Sequence, residues 1–196
     1  DFNLLKDHRG EKYVMLGGSD LPNIKKVKYD CVLSISNNIR ERLLKLGIEN
    51  TQVEFNLVDK NIFKPVYSYG KKIYVYDGIR EKDDNKEIYN TDLVNIIKKE
   101  LPEFDFIHSS KLNLENKDMP DIYSECFIGL RLTNSDGNAN TVQEFESMGI
   151  PIIHNHSDYG IKWQNDKDIV NKINSFFKNC QGKYKVLSIS DLNCIN

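Results

Sequence analysis

The stretch Arg131-Leu-Thr-Asn-Ser-Asp-Gly-Asn-Ala-Asn-Thr-Val-Gln-Glu-Phe-Glu-Ser-Met-Gly-Ile-Pro151 sets the architecture, because it contains a strand end, a polar turn-rich break, a helix and the start of another strand. Phe127 to Leu132 is a short apolar run suited to a buried parallel strand, and Asp136 to Asn140 breaks it with turn-forming residues. From Thr141, Val142, Phe145 and Met148 recur at helical spacing. Asn140 is a suitable N-cap, with Gln143 three residues on as a variant of the capping box. The free N–H groups of such a first turn and the helix dipole favour an anion, and Gly137 lets backbone approach a ligand closely. Glu144, one turn into the helix, lies on the flank of its buried face, within reach of ligand hydroxyls. By helical wheel Glu146 flanks that face equally.

Working outward, the chain alternates strands and helices, which predicts α/β with parallel sheets. The strands expected are Tyr13–Leu16, Cys31–Ile35, Val53–Leu57, Lys72–Tyr76, Phe104–His108, Phe127–Leu132 and Ile150–His154, with a looser strand-like stretch at Lys185–Ile189. The helices expected are Asn37–Leu46, Thr91–Leu101, Pro120–Glu125, the one from Thr141, and Asp168–Cys180 with Ile169, Ile173 and Phe176 or Phe177 inward. Lys64–Lys71, with Pro65 and Gly70, reads as a linker, dividing residues 1–66 from residues 67–196. The second domain looks nearly whole. The first supplies only about three strands, as a partial domain would.

Composition narrows the function classes. The chain has 196 residues, and its 39% of hydrophobic residues supports a sizeable core. Its 27 basic and 29 acidic residues nearly cancel and form no basic stripe, which argues against nucleic acid as the main partner. Lys25, Lys26 and Lys28 read as a solvated loop. No apolar run reaches the roughly 18 residues of a membrane span, and no charged-then-apolar leader is present, so a cytoplasmic location is expected. Cys31, Cys126, Cys180 and Cys194 lie far apart and read as buried free thiols rather than disulfides. His154-x-His156 has metal-like spacing without a carboxylate or Cys at ligand spacing, so no metal site is expected.

The lead segment resembles the C-terminal nucleotide-sugar-binding domain of GT-B glycosyltransferases, in particular the retaining branch called family four. That branch carries two acids eight residues apart followed by a small-residue helix and Gly-x-Pro-Val-Ile; here Asp136 and Glu144 are eight apart and Gly149-Ile-Pro-Ile-Ile153 follows. The family's first acid is usually Glu, and Asp136 shortens it. A second block, Tyr29 to Pro65, resembles the end of the same branch's N-terminal domain: an apolar strand into Ser-Ile-Ser36, a basic helix, Asn56-Leu-Val-Asp59, and Phe63-Lys-Pro65 opening the linker.

This resemblance implies a Rossmann-like GT-B architecture, parallel sheets with flanking helices, whose first domain (1–66) is the acceptor side and whose second (67–196) binds the nucleotide sugar. It implies a glycosyltransferase passing a sugar from a nucleotide-sugar donor to an acceptor (glycan, lipid or protein), with retention, no metal and no cofactor beyond the donor. It sets Asp136 and Gly137, Asn138, Ala139, Asn140 and Thr141 near sugar and phosphates, and Glu144 on the ribose. Arg80 and Lys86, with Lys82 as competitor, match its diphosphate-clamping Arg and Lys. Arg131, beside the acidic loop, needs a partner such as Asp136 or a ligand phosphate. Asp20, after Gly17-Gly-Ser19, stands where the family has a loop facing the donor sugar and is the acceptor-side base candidate. His108, Ser109 and Ser110 end a strand where open α/β sheets bind ligands, though a surface loop is the plainer reading. The competing reading is a nucleotide-sugar-binding module without transfer activity, either a degenerate domain or a subunit completed by a partner, such as a complementing N-terminal domain or a second copy of itself. A sugar-nucleotide epimerase would need catalytic acids and a His in both halves, which this sequence does not offer.

Overall fold

The computed structural model describes residues 7–17, 24, 28–54, 58–66, 70–78, 85–157 and 159–182. Asp20, Arg80, Lys82, Cys194 and the stretch Lys185–Ile189 lie outside the described residues. The chain divides into two compact units: residues 1–57 with 136–139, and residues 58–135 with 140–196.

The first unit is a three-stranded parallel sheet of order β1-β2-β3, with β1 at Tyr13–Leu16, β2 at Cys31–Ser34 and β3 at Thr51–Val53. The third strand begins two residues before the expected Val53, because Thr51 and Gln52 pair with Val32 and Leu33 of β2. Helix α1 (Asn37–Lys45) starts where Ser36 accepts a hydrogen bond from the Ile39 N–H. It ends in a Schellman turn: Gly47 has φ +78°, its N–H donates to Leu44 O, and the Ile48 N–H donates to Leu43 O. Ile39 and Leu43 of α1 pack with Val14, Leu16 and Val32 on one face. On the other face Tyr13 and Met15 are 54% and 53% exposed.

The second unit is a four-stranded parallel sheet of order β5-β4-β6-β7: β4 Lys72–Val75, β5 Phe106–His108, β6 Cys126–Leu130 and β7 Ile152–Ile153. Its helices are α2 (Asn85–Ile88), α3 (Thr91–Glu100), α4 (Met119–Ser124), α5 (Asn140–Ser147) and α6 (Asp166–Gly182). Strands β4 and β6 are short apolar runs buried on both faces, as a parallel sheet covered by helices requires, and the edge strand β5 is only partly buried. On one face Ile73, Val75, Phe127 and Leu130 join Val94 and Ile97 of α3 and Ile169, Ile173 and Phe176 of α6, with Phe177 and Trp163 at the margin. On the other, Tyr74, Tyr123 and Phe145 form an aromatic group with ring centroids 4.3–5.3 Å apart, and Phe63 stacks on Tyr123 at 6.1 Å. Cys31, Cys126 and Cys180 are free, and burial pushes the Cys126 thiol up to about 12.

Candidate functional site at the strand ends of the second unit

In a parallel α/β sheet the carboxyl ends of the strands leave backbone groups and side chains open to a ligand. In this unit that edge carries Tyr76 and Asp77 after β4, Ser109 after β5, Arg131 after β6 and His154 after β7.

Arg131 lies just past β6, not within it as expected, but its N–H still continues the pairing by donating to Ile153 O at 3.0 Å. Its carbonyl accepts from Nδ1 of the fully buried His154 at 3.0 Å, which fixes the tautomer, since a carbonyl cannot donate. The guanidinium carbon sits 4.0 Å from the centroid of the Tyr76 ring and 6.0 Å from that of Tyr89. Tyr76 and Tyr89 meet edge to face at 5.4 Å. Tyr89 is at the α2–α3 corner, and that corner is stitched to the segment leaving β6. Asn90, with left-handed φ +49°, donates its side-chain amide to Leu132 O at 2.7 Å and to Asn134 Oδ1 at 2.8 Å, and Asn134 returns a bond to Glu87 O at 3.0 Å. Asn tolerates this conformation because its side chain can satisfy nearby backbone.

The next strand ends form a closed polar network. Asp77 Oδ2 meets His108 Nδ1 at 2.7 Å, and Asp77 Oδ1 accepts from the Ser110 N–H at 2.9 Å. Ser109 Oγ accepts from the Asp77 N–H and donates to Gly78 O. Burial alone would raise the Asp77 pKa, but the hydrogen bonds from His108 and Ser110 and the attraction of His108 outweigh it, and the net shift is downward. His108 to Ser110 are therefore not the plain surface loop that the sequence suggested: Ser109 is buried and the three residues hold Asp77.

Helix α5 begins at Asn140, so that residue is its first helical position and not the cap ahead of it; the turn-forming residues Asp136 to Ala139 simply end one residue earlier. Its far end is a second Schellman turn, with Gly149 at φ +74°, its N–H on Glu146 O and the Ile150 N–H on Phe145 O. Val142, Phe145 and Met148 are buried at the expected spacing. The structure separates the two acids that the helical wheel left equal. Glu144 is only 5% exposed, with Oε2 accepting from Tyr123 Oη at 2.8 Å and Oε1 from Asn116 Nδ2 at 3.0 Å. Glu146 is half-buried, and that burial raises its pKa. Burial first, then Tyr74 and Glu144, push the Tyr123 phenol far up, so it stays protonated and donates.

Thr141 is buried, Asn140 is exposed, and Lys86 is exposed on α2. Asp136, Gly137, Asn138 and Ala139 belong to the first unit. There Asn138 Nδ2 donates to Ile35 O at 2.9 Å, and the Gly137 N–H donates to Asp136 Oδ1 at 2.9 Å. A Cβ on Gly137 would stand 2.9 Å from Gly17 O and 3.1 Å from Ile39 Cδ1, so packing within the unit already requires glycine. Tyr76, Asp77, Tyr89, Asn90, Asn116 and Tyr123 were not singled out in the sequence. The signal available was position: Tyr76-Asp77-Gly78 ends a strand, and Asn90 precedes a helix.

No family model matches the sequence, and no curated protein matches it. Among solved structures, the chain is similar to sucrose-phosphate synthase from Thermosynechococcus elongatus at a TM-score of 0.56 and 13% identity, covering 81% of this chain and 52% of that one. It is also similar to the apo form of the lipopolysaccharide outer core galactosyltransferase WaaB, at a TM-score of 0.54 and 18% identity, covering 81% of this chain and 55% of that one. The chain thus spans about half the length of the structures it matches. With its two parallel sheets and flanking helices, this chain has the fold of part of a GT-B glycosyltransferase.

Proposed function

We propose that the chain is the donor-binding part of a glycosyltransferase that moves a sugar from a nucleotide sugar to an acceptor, metal-independently and with retention. The observation that carries this reading is Arg131: a cation fastened at the carboxyl end of a central strand, in the unit that also holds the buried Glu144. A departing nucleoside diphosphate develops negative charge, and preorganised cations and backbone N–H groups stabilise it. In this reading Arg131, Arg80 and Lys86 are the cations that meet the diphosphate, with Asn140 and Thr141 at the start of α5. Asp136 and Asp20 act at the sugar and acceptor. Glu144 accepts the ribose hydroxyls with the lone pairs that Tyr123 and Asn116 leave, since an ionised carboxylate offers about four.

The test is a thermal-shift screen of UDP, GDP, ADP, CMP and their sugars, followed by assay of donor hydrolysis and transfer. A rise in melting temperature for one nucleotide series supports the reading, because a ligand that binds only the folded state stabilises it. No shift with any nucleotide or nucleotide sugar would sink it. A second reading, a nucleotide-sugar-binding module completed by an N-terminal domain or a second copy, is favoured by the first unit's three-stranded sheet, with Tyr13 and Met15 exposed on one face. Donor binding without hydrolysis or transfer selects it.

A further inference from the structure

We infer that Tyr76, braced by Tyr89, is a positioning residue that holds the Arg131 guanidinium ready to grip a diphosphate, an assignment resting on the nucleotide-sugar reading above. The guanidinium lies 4.0 Å over the Tyr76 ring. Stacking engages the flat face of a guanidinium, whereas its N–H donors point outward in its plane, in the fork that matches phosphate oxygens. The attraction between the cation and the ring face limits where the Arg131 guanidinium can lie.

The rest of the geometry supports the same role. The Arg131 backbone is fixed on both sides, by its N–H to Ile153 O and by His154 Nδ1 to its carbonyl. The second ring is fixed too: Tyr89 meets Tyr76 edge to face, and the corner that carries it is tied to Leu132 O and Asn134 by Asn90, at the cost of a left-handed conformation in Asn90. An arginine loses much rotamer freedom when it engages a ligand, and a side chain already ordered loses less on binding. The two rings and the Asn90–Asn134 clasp act through Arg131, and none of them needs to touch the ligand.

The experiment compares the wild-type chain with Tyr76→Leu, Tyr76→Phe and Tyr89→Leu. Affinities for UDP, GDP, ADP and CDP and for the matching nucleosides are measured by calorimetry. In parallel, inorganic pyrophosphate is titrated while the Arg131 Nε–H resonance, assigned with Arg131→Lys, is followed by NMR. Tyr76→Phe keeps the ring face and is expected to bind within about twofold of wild type, whereas Tyr76→Leu weakens the diphosphate about three- to thirtyfold and leaves the nucleoside unchanged. Tyr89→Leu, one ring further out, has a smaller effect in the same direction and decides the matter if Tyr76→Leu does not fold. Undiminished diphosphate affinity in Tyr76→Leu, equal losses for diphosphate and nucleoside, or an Arg131 resonance indifferent to pyrophosphate would each overturn the assignment. If no nucleoside diphosphate binds wild type while pyrophosphate still moves Arg131, and does so less readily in Tyr76→Leu, the nucleotide reading falls and the positioning role stands.

Discussion

Glu144 and Asp77 are both carboxylates held in place by neighbours, and their environments predict opposite kinds of experiment. Glu144 is buried with Tyr123 Oη on one oxygen and Asn116 Nδ2 on the other, so truncation affects the fold as well as any ligand. Glu144→Ala strands the Tyr123 hydroxyl and is expected to cost about 1–3 kcal/mol of stability in urea unfolding. Glu144→Gln keeps the shape and an acceptor for Tyr123, so it should cost less stability yet weaken nucleotide binding if the carboxylate holds the ribose. Unchanged affinity in Glu144→Gln would leave Glu144 a structural residue only. For Asp77 the folded-state pKa lies below the ordinary value of 3.8. Its contribution to stability is therefore complete above that value and is lost as pH falls through the lower folded pKa. The stability gap between wild type and Asp77→Asn should shrink as the pH falls below about pH 4. A gap that widens on acidification contradicts the network described. At this scale the site was half legible. Arg131 stood out because a charge in an apolar strand needs a reason, and Glu144 only through the spacing of the family resemblance, since the helical wheel left it equal with Glu146. Asp77, Asn116 and Tyr123 did not, because their partners lie 31, 28 and 21 residues away and no local pattern joins them.

Among the elements, α5 is placed by one close approach. A Cβ on Gly129 of β6 would stand 2.7 Å from Phe145 Cε1 and 3.1 Å from Ile152 Cδ1, so the helix lies as near the strand as a missing side chain allows. Gly129→Ala should force the Phe145 ring away and cost about 1–3 kcal/mol, as overpacking a filled core does. Phe145→Leu should cost less in the Gly129→Ala background than alone, because both changes act on the same contact. Additive losses in a double-mutant cycle would mean that the helix adapts elsewhere. Elements were more legible than sites. The stops of α1 and α5 are both written as glycine followed by isoleucine, where the glycine supplies the left-handed residue and the next N–H closes the turn. The strands of the second unit are apolar runs between polar breaks. The expected start of β3 slipped by two residues because register is set by pairing with β2, and Thr51 and Gln52 are not apolar enough to announce it. Helix α2 was missed because its four residues, Asn-Lys-Glu-Ile, carry no period to read.

Across the whole molecule, the two units differ in how well their sheets are enclosed. Among the described residues, the cluster joining β4 and β6 to α3 and α6 has 14 buried hydrophobic members, with the Tyr74–Tyr123–Phe145 group on the opposite face; the cluster of the first unit has 8. The first sheet also leaves Tyr13 and Met15 exposed on one face, whereas parallel sheets are ordinarily covered on both. Stability within one chain need not be uniform, and a segment with fewer buried apolar contacts opens at lower free energy. Native-state hydrogen exchange should therefore find the slowest amides in Ile73–Val75 of β4 and Phe127–Leu130 of β6, with those of Val14–Leu16 and Val32–Ser34 exchanging through smaller openings. Adding denaturant should bring the first-unit amides to rapid exchange well before those of the second unit. Coincident exchange of β1, β2, β4 and β6 at every denaturant concentration would instead show that the two units open as one, and that the exposed face of the first sheet carries no penalty in stability.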